Sequence, residues 1–132
     1  MSANAKRPIL ILLVEDELAL RMDAALFLEE EGFVVIESTH GEHASLVLQN
    51  HPNIHVLFTD VQLPGSLNGV ELAHVARQKN PSIAILIVSG RDQPEAEDMP
   101  AGARFLPKPY HPGAVVRHIK ELVDAPPGAR SI

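Results

Sequence analysis

The sequence contains no cysteine. It therefore cannot form a disulfide bond, a cysteine-ligated zinc site or a thiol nucleophile, and a disulfide-stapled secreted mini-protein is excluded. We expect the cytoplasm as its compartment, because proteins of that reducing environment do not rely on disulfides for stability.

Basic residues are scarce and the apolar runs are short. Eleven Lys and Arg stand against seventeen Asp and Glu, which leaves a net charge of −6. Since no Lys- and Arg-rich run interrupts this acidity, the electrostatic pattern of a nucleic-acid binder is missing and we expect no nucleic-acid partner. The apolar run at residues 9–14 is too short to cross a bilayer and lacks a signal-peptide cleavage site, so we expect no membrane partner.

What the sequence does contain is a regular alternation of two kinds of segment. Its 132 residues suit one compact domain. Four apolar runs rich in Ile, Val and Leu predict strands covered on both faces, and a fifth, shorter strand follows them. The predicted strands are residues 9–14, 33–36, 54–58, 83–88 and 104–106.

Segments with helical spacing of apolar residues lie between these strands and after the last one. The stripe Leu18, Met22 and Ala25 is interpreted as core-facing, as are Val115 and Ile119. Strand and helix therefore alternate, which requires right-handed crossovers and a parallel sheet with helices on both faces. The predicted fold is an open, doubly wound α/β domain with five helices, of which the fourth is short or irregular.

In such sheets, ligands bind beyond the carboxyl ends of the strands. Polar residues follow the first, third, fourth and fifth predicted strands at this edge, and they are Glu15, Asp16, Asp60, Ser89 and Lys108. Three carboxylates at one edge repel one another, and a bound divalent cation relieves that repulsion. All the available ligands are oxygen atoms, so we expect Mg²⁺, for which Mn²⁺ could substitute.

The remaining groups at this edge suit a phosphoryl group. Lys108 offers a positive charge and Ser89 a hydroxyl donor. An aspartate can act as a nucleophile and form an acyl phosphate while a metal ion and a lysine neutralise the phosphoryl oxygens. Asp60 is the best candidate for this nucleophile, because it is the lone acid of the central strand.

Four motifs at these strand ends together resemble the receiver domain of two-component response regulators. They are LVEDE at residues 13–17, FTDVQLPG at 58–65, VSG at 88–90 and LPKPY at 106–110. Each motif alone is weak, but four in this order make a specific signal. The resemblance extends from about residue 8 to residue 123, and it implies a flavodoxin-like, five-stranded sheet with the strand order 2-1-3-4-5.

The resemblance also implies roles for individual residues. Asp60 would accept a phosphoryl group from a sensor histidine kinase or a histidine phosphotransfer protein. Asp16, Asp60 and the backbone carbonyl of Gln62 would hold Mg²⁺, with Glu15 acting through water. Lys108 would pair with the phosphoryl oxygens, and the bond from Lys108 to Pro109 would be cis.

Two further positions match the switch residues of the family. Ser89 corresponds to the hydroxyl residue that moves toward the phosphoryl group, and Phe105 corresponds to the aromatic residue that turns inward in the active state. Phosphorylation would thereby shift an equilibrium between two states.

The chain departs from the family pattern in two segments. The loop after Asp60 carries one additional residue, within residues 65–68. The segment 91–103 is a few residues short and contains two prolines and four acids, which leave at most about two turns of helix. In most receivers the corresponding helix belongs to the partner surface, so we expect that surface to be remodelled here.

The expected organisation is a receiver domain at residues 8–124 between tails at 1–7 and 125–132. With no output domain expected, the signal would leave through non-covalent binding of an unknown protein target, or the chain would serve as a phosphate sink. It would catalyse only its own phosphoryl transfer and dephosphorylation, and would not be an enzyme otherwise.

Three alternatives remain open at this point. One is a Mg²⁺-dependent phosphohydrolase with an aspartate nucleophile, although Gln62 occupies the position where such an enzyme needs a general acid. Another is a degenerate receiver that acts as a constitutive binding module. The third, a nucleotide-binding module, lacks the glycine-rich loop that it would need after the first strand.

Overall fold

The computed structural model describes residues 8–125, so the predicted tails lie outside the described residues apart from Ala125. Five strands and four α helices alternate along this part of the chain. The strands are β1 (Leu10–Val14), β2 (Val34–Ser38), β3 (Val56–Asp60), β4 (Ala84–Ser89) and β5 (Arg104–Pro107). The helices are α1 (Leu18–Glu30), α2 (Gly41–Asn50), α3 (Gly69–Lys79) and α4 (Pro112–Asp124).

All four strand pairings are parallel, and the sheet has the order β2-β1-β3-β4-β5. The predicted fold class and strand order are thus confirmed. The side chains of β3 and β4 are buried along their whole length, as expected for strands covered on both faces.

The core consists of two apolar layers, one on each face of the sheet. One layer contains buried residues of α1 and α4 together with Phe58 of β3, and the other contains buried residues of α2 and α3 together with Leu57. Because neighbouring strand residues point to opposite faces, Leu57 and Phe58 separate in this way. Both layers hold β3, the central strand, in place, and thereby the acidic residue at its end.

The connection between β4 and β5 contains a single 3-10 turn, Ala96–Asp98. The expectation of a short or irregular fourth helix is confirmed, and the described residues accordingly form four α helices instead of five. The segment has too few apolar residues to bury a helical face, and Pro94 and Pro100 flank the turn.

The predicted core stripe of α1 was wrong in part. Leu18 and Met22 are 60% and 59% exposed, whereas Ala24, Ala25 and Leu28 are buried. Apolar residues occupy most positions of this helix, so their spacing cannot decide which face meets the sheet. By contrast, Val115 and Ile119 of α4 are buried as predicted.

The start of α3 is fixed by a capping box. The Asn68 side chain accepts a hydrogen bond from the Glu71 backbone N–H, and the Glu71 carboxylate accepts one from the Asn68 N–H, both at 2.9 Å. These bonds satisfy two donors that a helix start otherwise leaves unpaired. Within residues 8–125, no helix is both long enough and apolar enough to cross a membrane.

Candidate functional site

Three acidic side chains meet at the carboxyl edge of the sheet. Glu15 follows β1, Asp16 comes next, and Asp60 is the last residue of β3, the neighbour of β1. Each offers a carboxylate oxygen within 4.8 Å of the others. Glu15 and Asp60 are buried, whereas Asp16 is exposed. The structure therefore brings together the three carboxylates that the sequence predicted at one edge.

Lys108 lies among these carboxylates. Its Nζ donates to Glu15 Oε1 at 2.7 Å and to Asp60 Oδ2 at 2.9 Å, and its side chain is only 17% exposed. Partial burial disfavours the charged ammonium, but the hydrogen bonds to Glu15 and Asp60 outweigh it and raise the pKa of Lys108 above its ordinary value. Lys108 is therefore a permanent cation of this site at neutral pH.

The donor set fits a hard divalent cation. Three carboxylates and one ammonium leave the cluster with two uncompensated negative charges when all are ionised. Oxygen ligands of this kind are the ones that Mg²⁺ prefers, and the exposed Asp16 leaves the site open to the waters that Mg²⁺ retains. The arrangement can therefore hold a cation beside the Asp60 carboxylate.

Backbone contacts hold Glu15 in its position. Its N–H donates to the Ser38 carbonyl of β2 at 3.0 Å, and its Oε2 accepts from the Glu17 N–H at 3.1 Å. The guanidinium of Arg21, on α1, donates to the Glu15 carbonyl at 3.0 Å and pairs with Glu37. Arg21 was missed by the sequence reasoning, because no motif distinguishes it from a surface arginine.

The first residues of the loop between β3 and α3 contact the Asp60 side chain. The Gln62 N–H donates to Asp60 Oδ1 at 3.3 Å, so the Gln62 backbone lies beside the acid. Gly69 closes this loop, and its N–H donates to the Val61 carbonyl at 2.9 Å. A Cβ at Gly69 would overlap the Asp60 carbonyl, so only glycine allows this close return of the chain.

A carboxylate from α2 binds Ser66, in the part of this loop where the sequence predicts an additional residue. Glu42 Oε2 accepts hydrogen bonds from the Ser66 N–H at 2.8 Å and the Ser66 hydroxyl at 2.6 Å. The bond from the Ser66 hydroxyl, followed by that from the backbone, lowers the pKa of Glu42 to about 2. Gly65 takes a φ of +91° next to this contact. Sequence reasoning missed Glu42, although the extra residue and Gly65 marked the loop.

Ser89, at the end of β4, is buried and engages the same loop. Its hydroxyl donates to the side-chain Oε1 of Gln62 at 2.9 Å and accepts from the Arg91 N–H at 3.1 Å. The sequence predicted Ser89 for this edge of the sheet but did not predict its contact with the Gln62 side chain.

The other predicted residues lie along β5 and just after it. Phe105 is half-buried and packs against the layer that contains α2 and α3. The bond from Lys108 to Pro109 is cis, as the resemblance implied. Tyr110 packs against Phe58 and Phe27, with ring centroids 5.9 and 6.2 Å away, and burial raises its pKa to about 12.

The edge of the sheet is an open depression instead of an enclosed pocket. Besides the three acids and Lys108, it is lined by Gln62, Leu63, Gly90 and Arg91. An open site of this shape suits a reacting group carried by a larger partner better than a small substrate that must be enclosed.

Comparison with known proteins agrees with this geometry. Residues 11–120 match the family model described as response regulator receiver domain. The response regulator receiver protein CpdR of Brucella abortus (strain 2308) is 32% identical over 119 residues, which cover 87% of this chain and 97% of CpdR.

The same sequence also resembles parts of longer proteins. The sensor kinase CckA of Brucella abortus (strain 2308) is 31% identical over 118 residues, which are 86% of this chain but 12% of the kinase. Among solved structures, a response regulator receiver protein from Sinorhizobium medicae WSM419 superposes with a TM-score of 0.86 and 28% identity. That match covers 90% of this chain and 97% of the other.

Proposed function

The chain belongs to the response regulator receiver domain family, and on this premise we propose that Asp60 accepts a phosphoryl group from a histidine of a partner protein. In this step an Asp60 carboxylate oxygen forms a bond to phosphorus while the bond from phosphorus to the imidazole nitrogen breaks. The histidine leaves with the electron pair of that bond and takes up a proton. The product is an aspartyl phosphate.

The observation that carries this proposal is the contact of Lys108 with Asp60 and Glu15 in a cluster of three carboxylates. The Lys108 ammonium, 2.9 Å from Asp60 Oδ2, is placed to neutralise a phosphoryl oxygen on that residue. Partial burial strengthens this charge pairing, because fewer water molecules screen it. An isolated surface aspartate would have no such partner.

Mg²⁺ is the proposed cofactor, and Mn²⁺ is expected to substitute for it. When bound, the ion supplies charge neutralisation for the phosphoryl oxygens. Asp16, Asp60 and the Gln62 carbonyl would hold it, and Glu15 would act through water. This assignment is supported by the oxygen-only donor set and by the two negative charges that Lys108 leaves uncompensated.

Ser89 and Phe105 are the proposed switch residues. Ser89 is buried at the end of β4, and Phe105 is half-buried on the adjacent β5. A hydrogen bond from the Ser89 hydroxyl to the new phosphoryl group would favour one of two conformations of this edge of the sheet. The Phe105 side chain would change its orientation together with that edge.

We propose a sensor histidine kinase or a histidine phosphotransfer protein as the phosphoryl donor. The exposed apolar side chains Leu18, Met22 and Leu26 of α1 support such docking, since they lie on one face of the helix that follows the acidic residues. Leu20, Pro109 and Tyr110 line a further depression next to Lys108.

Residues 8–124 are proposed to act as a stand-alone receiver, a proposal supported by the 97% coverage of CpdR. We propose the cytoplasm as its compartment. Its signal would leave through non-covalent binding of a protein target, or it would drain phosphoryl groups as a sink. We propose no enzymatic activity beyond its own phosphoryl transfer and dephosphorylation. The Gln62 side chain, which binds Ser89, offers no general acid for a phosphohydrolase.

The decisive experiment is intact-protein mass spectrometry after incubation with acetyl phosphate, with and without Mg²⁺. We expect a Mg²⁺-dependent gain of one phosphoryl group in the wild type, no gain in Asp60→Asn, and a reduced gain in Lys108→Met. Lys120→Met is the matched control, because Lys120 forms an exposed ion pair with Glu31 at 3.3 Å, away from the acidic cluster.

Different outcomes separate the candidate functions. Rapid, repeated release of inorganic phosphate from small phosphate esters would favour a phosphohydrolase. Absence of any phosphoryl gain in the wild type would contradict the proposal and leave a degenerate receiver that acts as a constitutive binding module. If phosphorylation occurs, target binding that depends on it would support an adaptor, whereas fast phosphoryl loss without such binding would support a sink.

A further inference from the structure

The hydrogen of the Ser89 hydroxyl is already used in a hydrogen bond in this structure. The hydroxyl donates to the side-chain oxygen of Gln62 at 2.9 Å, and its own oxygen accepts from the Arg91 N–H at 3.1 Å. The Ser89 residue is only 2% exposed, so water does not readily replace either partner. A serine hydroxyl has one hydrogen, and it can therefore serve only one acceptor well at a time.

On the basis of the proposed function, we infer that Gln62 is a positioning residue that opposes activation. Its side-chain oxygen competes with the phosphoryl group on Asp60 for the Ser89 hydroxyl hydrogen. Ser89 can donate to the phosphoryl group only after its bond to Gln62 breaks. The strength of that bond thus sets how far phosphorylation shifts the equilibrium between the two states.

Gln62 contacts both Asp60, the proposed phosphoryl acceptor, and Ser89, the proposed switch residue. Its backbone N–H contacts Asp60 Oδ1 at 3.3 Å, while its side chain holds Ser89. A change of charge at Asp60 therefore acts directly on the residue that restrains the hydroxyl. Arg91, the second partner of Ser89, lies at the start of the connection between β4 and β5, so a movement of the Ser89 side chain toward Asp60 would also change one backbone contact of that connection.

Replacing Gln62 by methionine tests this inference. Gln62→Met keeps the length of the side chain and the backbone groups but removes the acceptor. The Ser89 hydroxyl is then left without its partner in the unphosphorylated state, and that state loses stability. We expect beryllofluoride, which mimics a phosphoryl group on a carboxylate, to bind about tenfold more tightly, which corresponds to about 1.4 kcal/mol.

The measurement is calorimetric titration with beryllofluoride at saturating Mg²⁺, repeated in a Ser89→Ala background. Ser89→Ala removes the hydroxyl for which the two acceptors compete, so Gln62→Met should change affinity there by less than about twofold. Mg²⁺ affinity in the absence of beryllofluoride is measured for every variant, so that any change in metal binding is separated from the change in beryllofluoride affinity. The control is Gln78→Met, at an exposed position near the end of α3.

A second readout reports the hydrogen bond itself. The amide proton of Arg91 contacts Ser89 Oγ, so its NMR shift in the metal-free protein should move in Gln62→Met and stay in place in Gln78→Met. If Gln62 had only a structural role, Gln62→Met would change the beryllofluoride affinity equally with and without the Ser89 hydroxyl.

The possible failures are distinguishable. If the wild type binds no beryllofluoride with Mg²⁺, the proposed function is wrong and the inference falls with it. If the wild type binds it but Gln62→Met has equal or weaker affinity, only the inference is overturned. The same holds if Gln62→Met strengthens binding equally in the Ser89→Ala background, because the effect would then not pass through the hydroxyl.

Discussion

The loop from β3 to α3 and the connection from β4 to β5 leave the same edge of the sheet, from neighbouring strands. The first is fixed by side chains along its length, including the capping box of Asn68 and the contact of Glu42 with Ser66. The second is mostly exposed, and two α3 side chains, His74 and Arg77, hold the backbone carbonyls of its later part.

This difference follows the chemistry of the two segments. The β3–α3 loop places Gln62 within hydrogen-bond distance of both the Asp60 carboxylate and the Ser89 hydroxyl, and such geometry requires residues with fixed positions. The β4–β5 connection carries four acids and no buried apolar side chain apart from Pro100, so little burial is available to stabilise a helix there.

The largest difference in stability between the two segments is expected for substitutions of Gly69 and Gly90. In Gly69→Ala, the new Cβ overlaps the Asp60 carbonyl, so we expect the free energy of unfolding to fall by about 3 kcal/mol. In Gly90→Ala, at the start of the β4–β5 connection, the nearest heavy atom is Lys108 Cβ at 3.6 Å, and the change should stay within about 0.5 kcal/mol. Urea denaturation measures both, and equal losses would contradict the assignment of tight packing to the β3–α3 loop.

A smaller difference in stability is expected for substitutions of Asn68, which precedes α3, and Glu95, which precedes the 3-10 turn. Asn68→Ala removes the capping box of α3, and we expect a loss of about 1 kcal/mol. Glu95 precedes the 3-10 turn without a side-chain cap, so Glu95→Ala should have little effect. Thermal unfolding of both variants provides the test, and an equal loss in Glu95→Ala would show that the turn depends on an end contact after all.

The fold could be predicted because its strands are short, continuous apolar runs separated by turn residues. That pattern allowed the parallel sheet and its five strands to be placed, and the resemblance supplied their order. The face of α1 could not be predicted, because apolar residues occupy most positions of the helix and more than one stripe has helical spacing. Of the predicted stripe only Ala25 is buried. Packing against the sheet, which favours the small Ala24 and Ala25, decided the outcome.

Residues of the candidate site could be predicted only where they belong to a motif at the end of a strand. Glu15, Asp60 and Lys108 come together because parallel strands bring their carboxyl ends to one edge. Glu42 and Arg21 act from helices through contacts with residues of other elements, and nothing in local sequence records such pairs. The bond between the Gln62 and Ser89 side chains depends on rotamers, which a sequence pattern does not determine.

The stability of the β3–α3 loop should depend on pH through Glu42. Hydrogen bonds from Ser66 lower the pKa of Glu42 from 4.5 to about 2, so the ionised carboxylate favours the folded state. This contribution is fully present above the unfolded pKa and is lost as the pH falls from about 4.5 toward 2. Because Glu42 is exposed, the effect on stability should be modest.

Carbon-detected NMR titration of the Glu42 carboxyl group measures this shift directly. We expect a midpoint near 2 in the wild type and a midpoint closer to 4.5 in Ser66→Ala, which removes the hydroxyl donor. The unfolding midpoints of the wild type and Glu42→Gln should also differ less at pH 3 than at pH 6. A wild-type midpoint near 4.5 would mean that Glu42 of α2 does not hold Ser66 in this loop.

The smallest effect is expected where an α3 side chain holds the β4–β5 connection. His74 Nε2 contacts the Asp98 carbonyl at 2.7 Å on the exposed side of α3. His74→Ala should change the free energy of unfolding by less than about 0.5 kcal/mol, because little apolar area is lost. Local opening of the 3-10 turn should nevertheless become easier, since its restraint to α3 is gone.

Hydrogen exchange resolves that local change from global stability. The amides of Asp98 and Met99, which donate to Glu95 and Ala96, should exchange severalfold faster in His74→Ala. The control His51→Ala, at an exposed position after α2, should leave them unchanged. If His74→Ala also leaves them unchanged, the turn is stabilised by its own backbone bonds, and the two segments differ less than their contacts indicate. Faster exchange would instead identify the β4–β5 connection as the part of this edge that can rearrange while the acidic cluster stays intact.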